Sequence, residues 1–216
     1  MRIMILADQA EPTLWEFLDR RKLEGVDLIL SCGDLPASYL SFLTCFTHAP
    51  ILYVHGNHDA RYEKKPPEGC TCIEDQIYVH NGVRILGLGG SMRYRKAPHM
   101  YTEREMRARV RRLWFQLWRK KGFDILLAHS PAYQLGDSDD LAHTGFQVFN
   151  ELIDKYHPKA LLHGHVHQSY THDFKRIRQR GDTLAINAFG YYIWDVDFET
   201  KKARRARSHF RKPLLY

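Results

Sequence analysis

The chain has 216 residues, 44% hydrophobic and 26% charged, which suffices for one self-supporting core and excludes disordered, collagenous and coiled-coil classes. No apolar run approaches the roughly 18 residues of a membrane helix, and the run from Ile3 to Ala7 stops at Asp8, too early for a signal peptide, so a cytoplasmic protein without a membrane partner is expected. The net charge of +7 comes from Lys201, Lys202, Arg204, Arg205, Arg207, Arg211 and Lys212, which leave residues 1–200 with 25 basic and 25 acidic side chains.

Short β-branched runs alternate with segments of helical period, the pattern of an α/β chain. Arg2 to Ala7 predicts a buried strand. Pro12 and Thr13 predict the start of a helix with Leu14, Phe17, Leu18 and Arg21 on one side. Val26 to Ser31 predicts the next strand, Ser38 to Thr47 a short helix, and Ile51 to His55 a third strand. Tyr78 to His80 and Val83 to Leu88 flank Asn81-Gly82, which suits a type I′ turn, so a hairpin is expected there. Thr102 to Lys121 predicts the clearest helix. A Thr102/Glu105 capping box opens it, and Met106, Val110, Leu113, Trp114 and Leu117 recur on one face. Arg104, Arg107 and Arg111 on its other side read as a solvated basic face. Asp124 to Ala128 predicts a strand, Phe146 to Tyr156 a helix, and Ala160 to Leu162 a strand. Thr183 to Asn187 and Tyr192 to Asp197 predict two late strands. One domain over residues 1–198 is expected, followed by a basic tail, 199–216.

Several predicted strands end in residues that bind metals. Asp8 follows the first, Gly33-Asp34 the second and Gly56-Asn57-His58-Asp59 the third. His129-Ser130-Pro131 follows Ala128, and His163-Gly164-His165-Val166-His167 follows Leu162. Ligands of open α/β sheets bind outside the carboxyl ends of strands, so these segments would converge. Their donors mix carboxylate and amide oxygens with imidazole nitrogens, which suits Mn²⁺, Fe or Zn²⁺ better than Ca²⁺ or a structural zinc site.

In these motifs the chain resembles the calcineurin-like metallophosphoesterases, whose signature runs D-x-H, G-D, G-N-H-D/E, H and G-H-x-H. Within that superfamily it is most similar to the small bacterial phosphoesterases. The resemblance implies a two-sheet α/β sandwich flanked by helices, with the metal site at the carboxyl ends of strands. It implies a metal-dependent phosphoesterase holding one or two divalent ions, cleaving diester or monoester bonds of a nucleotide-like or other small substrate with a metal-activated water. Carried over by position, Asp34 would bridge two metals, Asp8 and His167 would hold the first, and Asn57, His129 and His165 the second. His58 would contact the scissile phosphate, with Asp59 orienting its ring.

The D-x-H motif is Asp8-Gln9-Ala10 here, so the first metal loses an imidazole. Three arrangements stay open: a weakly loaded two-metal site, a one-metal site on Asp34, Asn57, His129 and His165, and a two-metal site rescued by Glu11. Two other functional readings accompany the hydrolase. One is a nuclease that holds nucleic acid with the basic tail, and the other is a binding module retired from catalysis.

Gly87 to Ser91 reads as a tight turn and not a phosphate loop, since it lacks the Lys-Ser/Thr pair. Arg93 beyond it and His143 are candidate substrate contacts. His163 and His55 read as hydrogen-bonded residues at strand ends, and Asn187 as structural. His48, His80, His99, His157, His172 and His209 fit no ligand pattern and read as exposed. Cys32 and Cys45 read as small buried hydrophobes, and Cys70 and Cys72 as unreactive loop thiols.

Overall fold

In the computed structural model, which describes residues 1–167 and 174–198, the apolar runs become strands covered on both faces. In chain order the strands are Arg2–Ala7 (β1), Leu28–Ser31 (β2), Ile51–Tyr53 (β3), Thr71–Cys72 (β4), Gln76–His80 (β5), Val83–Leu88 (β6), Ser91–Met92 (β7), Met100–Tyr101 (β8), Ile125–Ala128 (β9), Ala160–His163 (β10), Ile177–Arg180 (β11), Thr183–Asn187 (β12) and Gly190–Asp195 (β13). The α-helices are Ala37–Thr44 (α1), Glu103–Arg112 (α2), Trp114–Lys120 (α3) and Gln147–Tyr156 (α4). One sheet has the order β13-β1-β2-β3-β4 and the other β11-β12-β10-β9-β6-β5, while β7 and β8 form a separate pair. All neighbours in the two large sheets are parallel except β13 on β1, β11 on β12 and β5 on β6.

Side chains of a strand alternate between faces, so a parallel sheet needs cover on both. Ile3 and Ile5 of β1, Leu28 and Leu30 of β2 and Leu52 of β3 point between the sheets, where they meet Val83, Ile85, Ile125, Leu127 and Leu162. The residues between them, Met4, Leu6, Ile29, Ile51 and Tyr53, pack outward against Tyr39, Leu40 and Leu43 of α1. On the other sheet, Leu86, Leu88, Leu126 and Leu161 pack against Met106, Leu117, Phe149 and Ile153 from α2, α3 and α4. The result is a two-sheet sandwich with helices on both outer faces. Each fully buried side chain of this size contributes about 1.5–3 kcal/mol.

The structure departs from the sequence expectations at the first predicted helix. Residues 11–24 form two 3₁₀ turns, Pro12–Leu14 and Arg20–Leu23, and Phe17 is 75% exposed. The Glu11 and Asp19 side chains accept backbone amides of Thr13 and Arg21, and such local bonds compete with a continuous helix. The long helix keeps its Thr102/Glu105 capping box but breaks at Leu113, whose amide bonds the Val110 carbonyl in 3₁₀ fashion. Leu113 and Leu117 still reach the core; Trp114 turns outward and is 66% exposed. Asn81 and Gly82 take the positive φ angles of the expected turn. The short strands β4, β7, β8 and β11 carry no period that a sequence pattern would flag. Cys45 is exposed, while Cys32 is buried as expected. His99 is half-buried and not exposed, its ring stacked on that of His55 with centroids 4.4 Å apart. His172, His209 and the basic tail from Glu199 onward lie outside the described residues.

One buried charge knits the sheets to the helical layer. Arg109 of α2 is 5% exposed; it pairs with Glu74 and with Asp75 Oδ1 (2.9 Å) and donates to the Gly89 carbonyl (2.8 Å). Glu74 also accepts the amides of Gly89 (2.8 Å) and His55 (3.1 Å). Burial pushes the Glu74 carboxyl up, but the His55 hydrogen bond and the Arg109 charge overcome this and hold it at about 2.

Replacing Arg109 with Ala strands Glu74 and should cost about 3–5 kcal/mol, read as a fall in the denaturant midpoint. Because Glu74 titrates lower when folded than its ordinary 4.5, the stability it contributes is present above that value and is lost as pH falls toward 2. Glu74→Gln protein should therefore show a shallower loss of stability over that acid range in pH-dependent melting.

Candidate metal centre

Five parallel strands end on one side of the sandwich and deliver the site. β1 leads into Asp8, β2 into Asp34, β3 into Asn57 and His58, β9 into His129, and β10 into His165. The β2 and β3 loops touch: a Cβ on Gly33 would lie 2.2 Å from the Gly56 amide nitrogen, and Gly33 has φ +97°. Only glycine permits both that approach and that conformation. Asp8, Asp34 and His165 also take positive φ, at 64°, 57° and 69°. A left-handed conformation costs a non-glycine residue on the order of 1–2 kcal/mol, and such strain gathers at functional sites.

Asp34, His129 and His165 bring one ligand atom each to within 4.8 Å of one another. His129 Nε2 lies 3.0 Å from Asn57 Oδ1, 3.1 Å from His165 Nδ1 and 3.3 Å from Asp34 Oδ2. Backbone carbonyls fix what these atoms are. His129 Nδ1 faces the Cys32 carbonyl at 2.9 Å, and His165 Nε2 faces the Ala142 carbonyl at 2.7 Å. A carbonyl only accepts, so both of those nitrogens carry the proton and the neutral rings turn bare lone pairs inward. Four lone-pair atoms, on Asp34, Asn57, His129 and His165, then face one point.

Without a positive charge there, the arrangement repels itself. The proton is one remedy: although burial disfavours the charged ring, Asp34 lifts His129 to about 9. A divalent cation is the other, and two imidazoles, a carboxylate and an amide oxygen suit one. Burial disfavours a charge on His165, as does the neighbouring His129, and its ring is held at about 3, so it stays a neutral donor. Asp34 is aimed by its surroundings, since its Oδ1 accepts the His58 amide at 2.7 Å while Oδ2 faces His129.

Asp8 and His167 sit beside this set. Both Asp8 oxygens accept the His165 amide, at 3.1 and 3.0 Å, and His167 Nε2 lies 3.6 Å from Asp8 Oδ1. Ala10 packs against the apolar cluster under α1. The Glu11 carboxylate is engaged by Thr13 and by Lys22 at 3.7 Å, turned to its own loop, so the rescue by Glu11 has no support.

The remaining candidates divide. His58 is exposed at the mouth. The Asp59 carboxylate does not reach the His58 ring; its Oδ2 accepts the amides of Gly56 (2.7 Å) and Asp34 (2.8 Å), latching the two loops together. Burial, with the Asp34 charge beside it, raises Asp59 to about 6. His143 is brought in: its ring is 5.0 Å from that of His165, and Asp140 accepts from its Nδ1 at 2.8 Å. Arg93 is not. Its guanidinium pairs with Glu105 at 2.8 Å and donates to the Met100 carbonyl, which ties it to the start of α2.

Two contributions escape sequence reasoning. The carbonyls of Cys32 and Ala142 set the tautomers, and a carbonyl is common to every residue type. Asn187 donates to the Val166 carbonyl (2.8 Å) and accepts the Phe189 amide (2.9 Å), so its structural role includes holding the segment between His165 and His167. His163 stays in its strand, buried, with burial lowering it to about 4.

Comparison with known proteins gives the same architecture. No curated protein matches the chain. One crystal structure, 14% identical, superposes with a TM-score of 0.64, covering 89% of this chain and 93% of that one. The protein TT1561 of Thermus thermophilus is 19% identical, with a TM-score of 0.58, covering 87% of this chain and 88% of that one. Identities this low show the fold alone. Residues 1–169 match the calcineurin-like phosphoesterase family as a sequence, and with the fold and the convergent strand ends in agreement, the chain belongs to that family.

Proposed function

We propose that the protein is a metal-dependent phosphoester hydrolase, with diesters of nucleotide-like or other small molecules as its preferred substrates. The observation that carries this reading is the convergence of four lone-pair atoms, on Asp34, Asn57, His129 and His165, on one point that a divalent cation would fill. These four would hold one ion, and Asp8 and His167, sharing Asp34, would hold a second more weakly because Ala10 adds no donor. Mn²⁺ fits the mixed nitrogen and oxygen set, with Fe or Zn²⁺ as alternatives. Bound ions would polarise the phosphoryl oxygens and lower the pKa of an attacking water.

The chain's own residues supply the rest. His58, exposed beside Asp34, would hold a proton at its imidazole for the leaving alkoxide: as water adds to phosphorus and the ester P–O bond breaks, that proton passes to the departing oxygen. Asp59 keeps the loop bearing His58 in register with Asp34. His143, next to His165, would contact the substrate's non-reacting part. The four cysteines are free thiols, which supports a reducing, cytoplasmic setting. A second reading, a binding module with reduced catalysis, is favoured by one feature, the apolar packing of Ala10 where the family motif has an imidazole.

Metal-stripped protein titrated with Mn²⁺ should hydrolyse a chromogenic phosphodiester saturably. Asn57→Ala should weaken the tighter Mn²⁺ phase by at least about tenfold in calorimetry and remove the activity, while Glu11→Ala should leave metal content unchanged. A silent wild-type protein that still binds Mn²⁺ would support the binding module instead. His58→Gln should bind Mn²⁺ normally and lose about 10²–10⁴ in kcat on a substrate with a poor leaving group, with a smaller loss when the leaving group needs no proton.

A further inference from the structure

The third helix carries a surface that neither the core nor the metal centre uses. Leu113 and Leu117 seat α3 in the core, and the opposite side presents Trp114, Phe115 and Trp118, which are 66%, 49% and 71% exposed. Val79, 45% exposed, lies on the face of β5 that α3 covers; the amide of Ile77, its neighbour on that face, donates to Gln116 of α3. Soluble proteins seldom expose such a concentration of large apolar side chains without a use.

Arg111, Arg112, Arg119, Lys120 and Lys121 flank the three aromatics along the chain, and none of these forms a salt bridge among the described residues. No acidic residue occurs between Met106 and Phe123. Exposed aromatics flanked in sequence by such cations fit a surface that is apolar just beneath an anionic layer. A second copy of the chain would bring five cations against five. Single-stranded nucleic acid needs open ring faces for stacking; here Phe115 fills the gap, with centroids 5.7 Å from Trp114 and 5.9 Å from Trp118, so the three rings make one continuous patch.

We propose that this face of α3 docks the protein on an anionic phospholipid bilayer, with Trp114, Phe115 and Trp118 entering the headgroup boundary and the flanking cations meeting lipid phosphates. The contact is peripheral. No helix among the described residues is long and apolar enough to cross a membrane, and the expectation of no membrane partner rested on that criterion, which does not test surface binding. The proposal is independent of the reaction catalysed.

The test uses the full chain, tail included, and vesicles of phosphatidylcholine with or without phosphatidylglycerol. Wild-type protein should co-sediment with the anionic vesicles at low salt, with blue-shifted tryptophan emission, and should bind neutral vesicles at least about tenfold more weakly. A Trp114→Ser/Trp118→Ser variant should lose at least about tenfold in anionic-vesicle affinity while keeping its melting temperature and Mn²⁺ binding. Because both side chains lie outside the core, folding should survive; should it not, Arg111→Glu/Arg119→Glu reads the same contact through its charge. Undiminished binding by these variants, or equal binding of both vesicle types, overturns the proposal. So does a dimer that the tryptophan substitutions dissociate, or an oligonucleotide bound more tightly than vesicles through the same two tryptophans.

Discussion

Four lone pairs aimed at one point are the constraint on which the rest of the structure depends. Atoms on Asp34, Asn57, His129 and His165 cannot approach one another to about 3 Å without a positive charge among them, and a chain left to relax would swing them apart. The fold prevents this from behind. The Cys32 and Ala142 carbonyls hold the far nitrogens of the two imidazoles, and the His58 amide holds the far oxygen of Asp34. Asp34, His129 and His165 are thus pinned through the atom each does not offer, which is how outer partners commonly orient metal ligands.

That pinning needs a rigid base, and two parallel sheets supply it. Strands buried on both faces leave little freedom at their carboxyl ends, so the loops that follow begin from fixed positions. The loops themselves are strained: Asp8, Asp34 and His165 hold left-handed backbone, and Gly33 and Gly56 meet at backbone contact. Asp59 and Asn187 stabilise these turns by bonding backbone rather than by touching one another's side chains. The Glu74–Arg109 pair extends the same logic outward, joining the strand before Gly56 to the helical layer.

Ala10 marks where the arrangement is thinnest. Asp34, Asn57, His129 and His165 offer four converging atoms, whereas Asp8 and His167 stand with Asp34 alone. The chain has closed the gap with apolar packing, since Ala10 sits on the cluster beneath α1, and Glu11 turns to Thr13 and Lys22. The asymmetry is one of preorganisation: three supporting hydrogen bonds hold the Asp34, His129 and His165 side, and the Asp8 and His167 side has fewer.

The sequence by itself determined the α/β class, most strands, the hairpin at Asn81-Gly82, the capping box at Thr102 and the order of the metal-ligand motifs. These rest on local periodicity or on residue types that only metal chemistry uses in that order. Tertiary structure alone decided the rest. The segment after Pro12 has helical spacing, yet caps by Glu11 and Asp19 cut it into short turns. Trp114 keeps the period of its neighbours, yet a break at Leu113 turns it to solvent. Arg93 is suited to phosphate, yet Glu105 holds it elsewhere, and Asp59 stands next to His58 in sequence but serves the backbone. The tautomers that define the metal site are set by carbonyls of Cys32 and Ala142, groups that every residue carries. A sequence records which side chains are present, and only the packed chain decides which backbone groups face them.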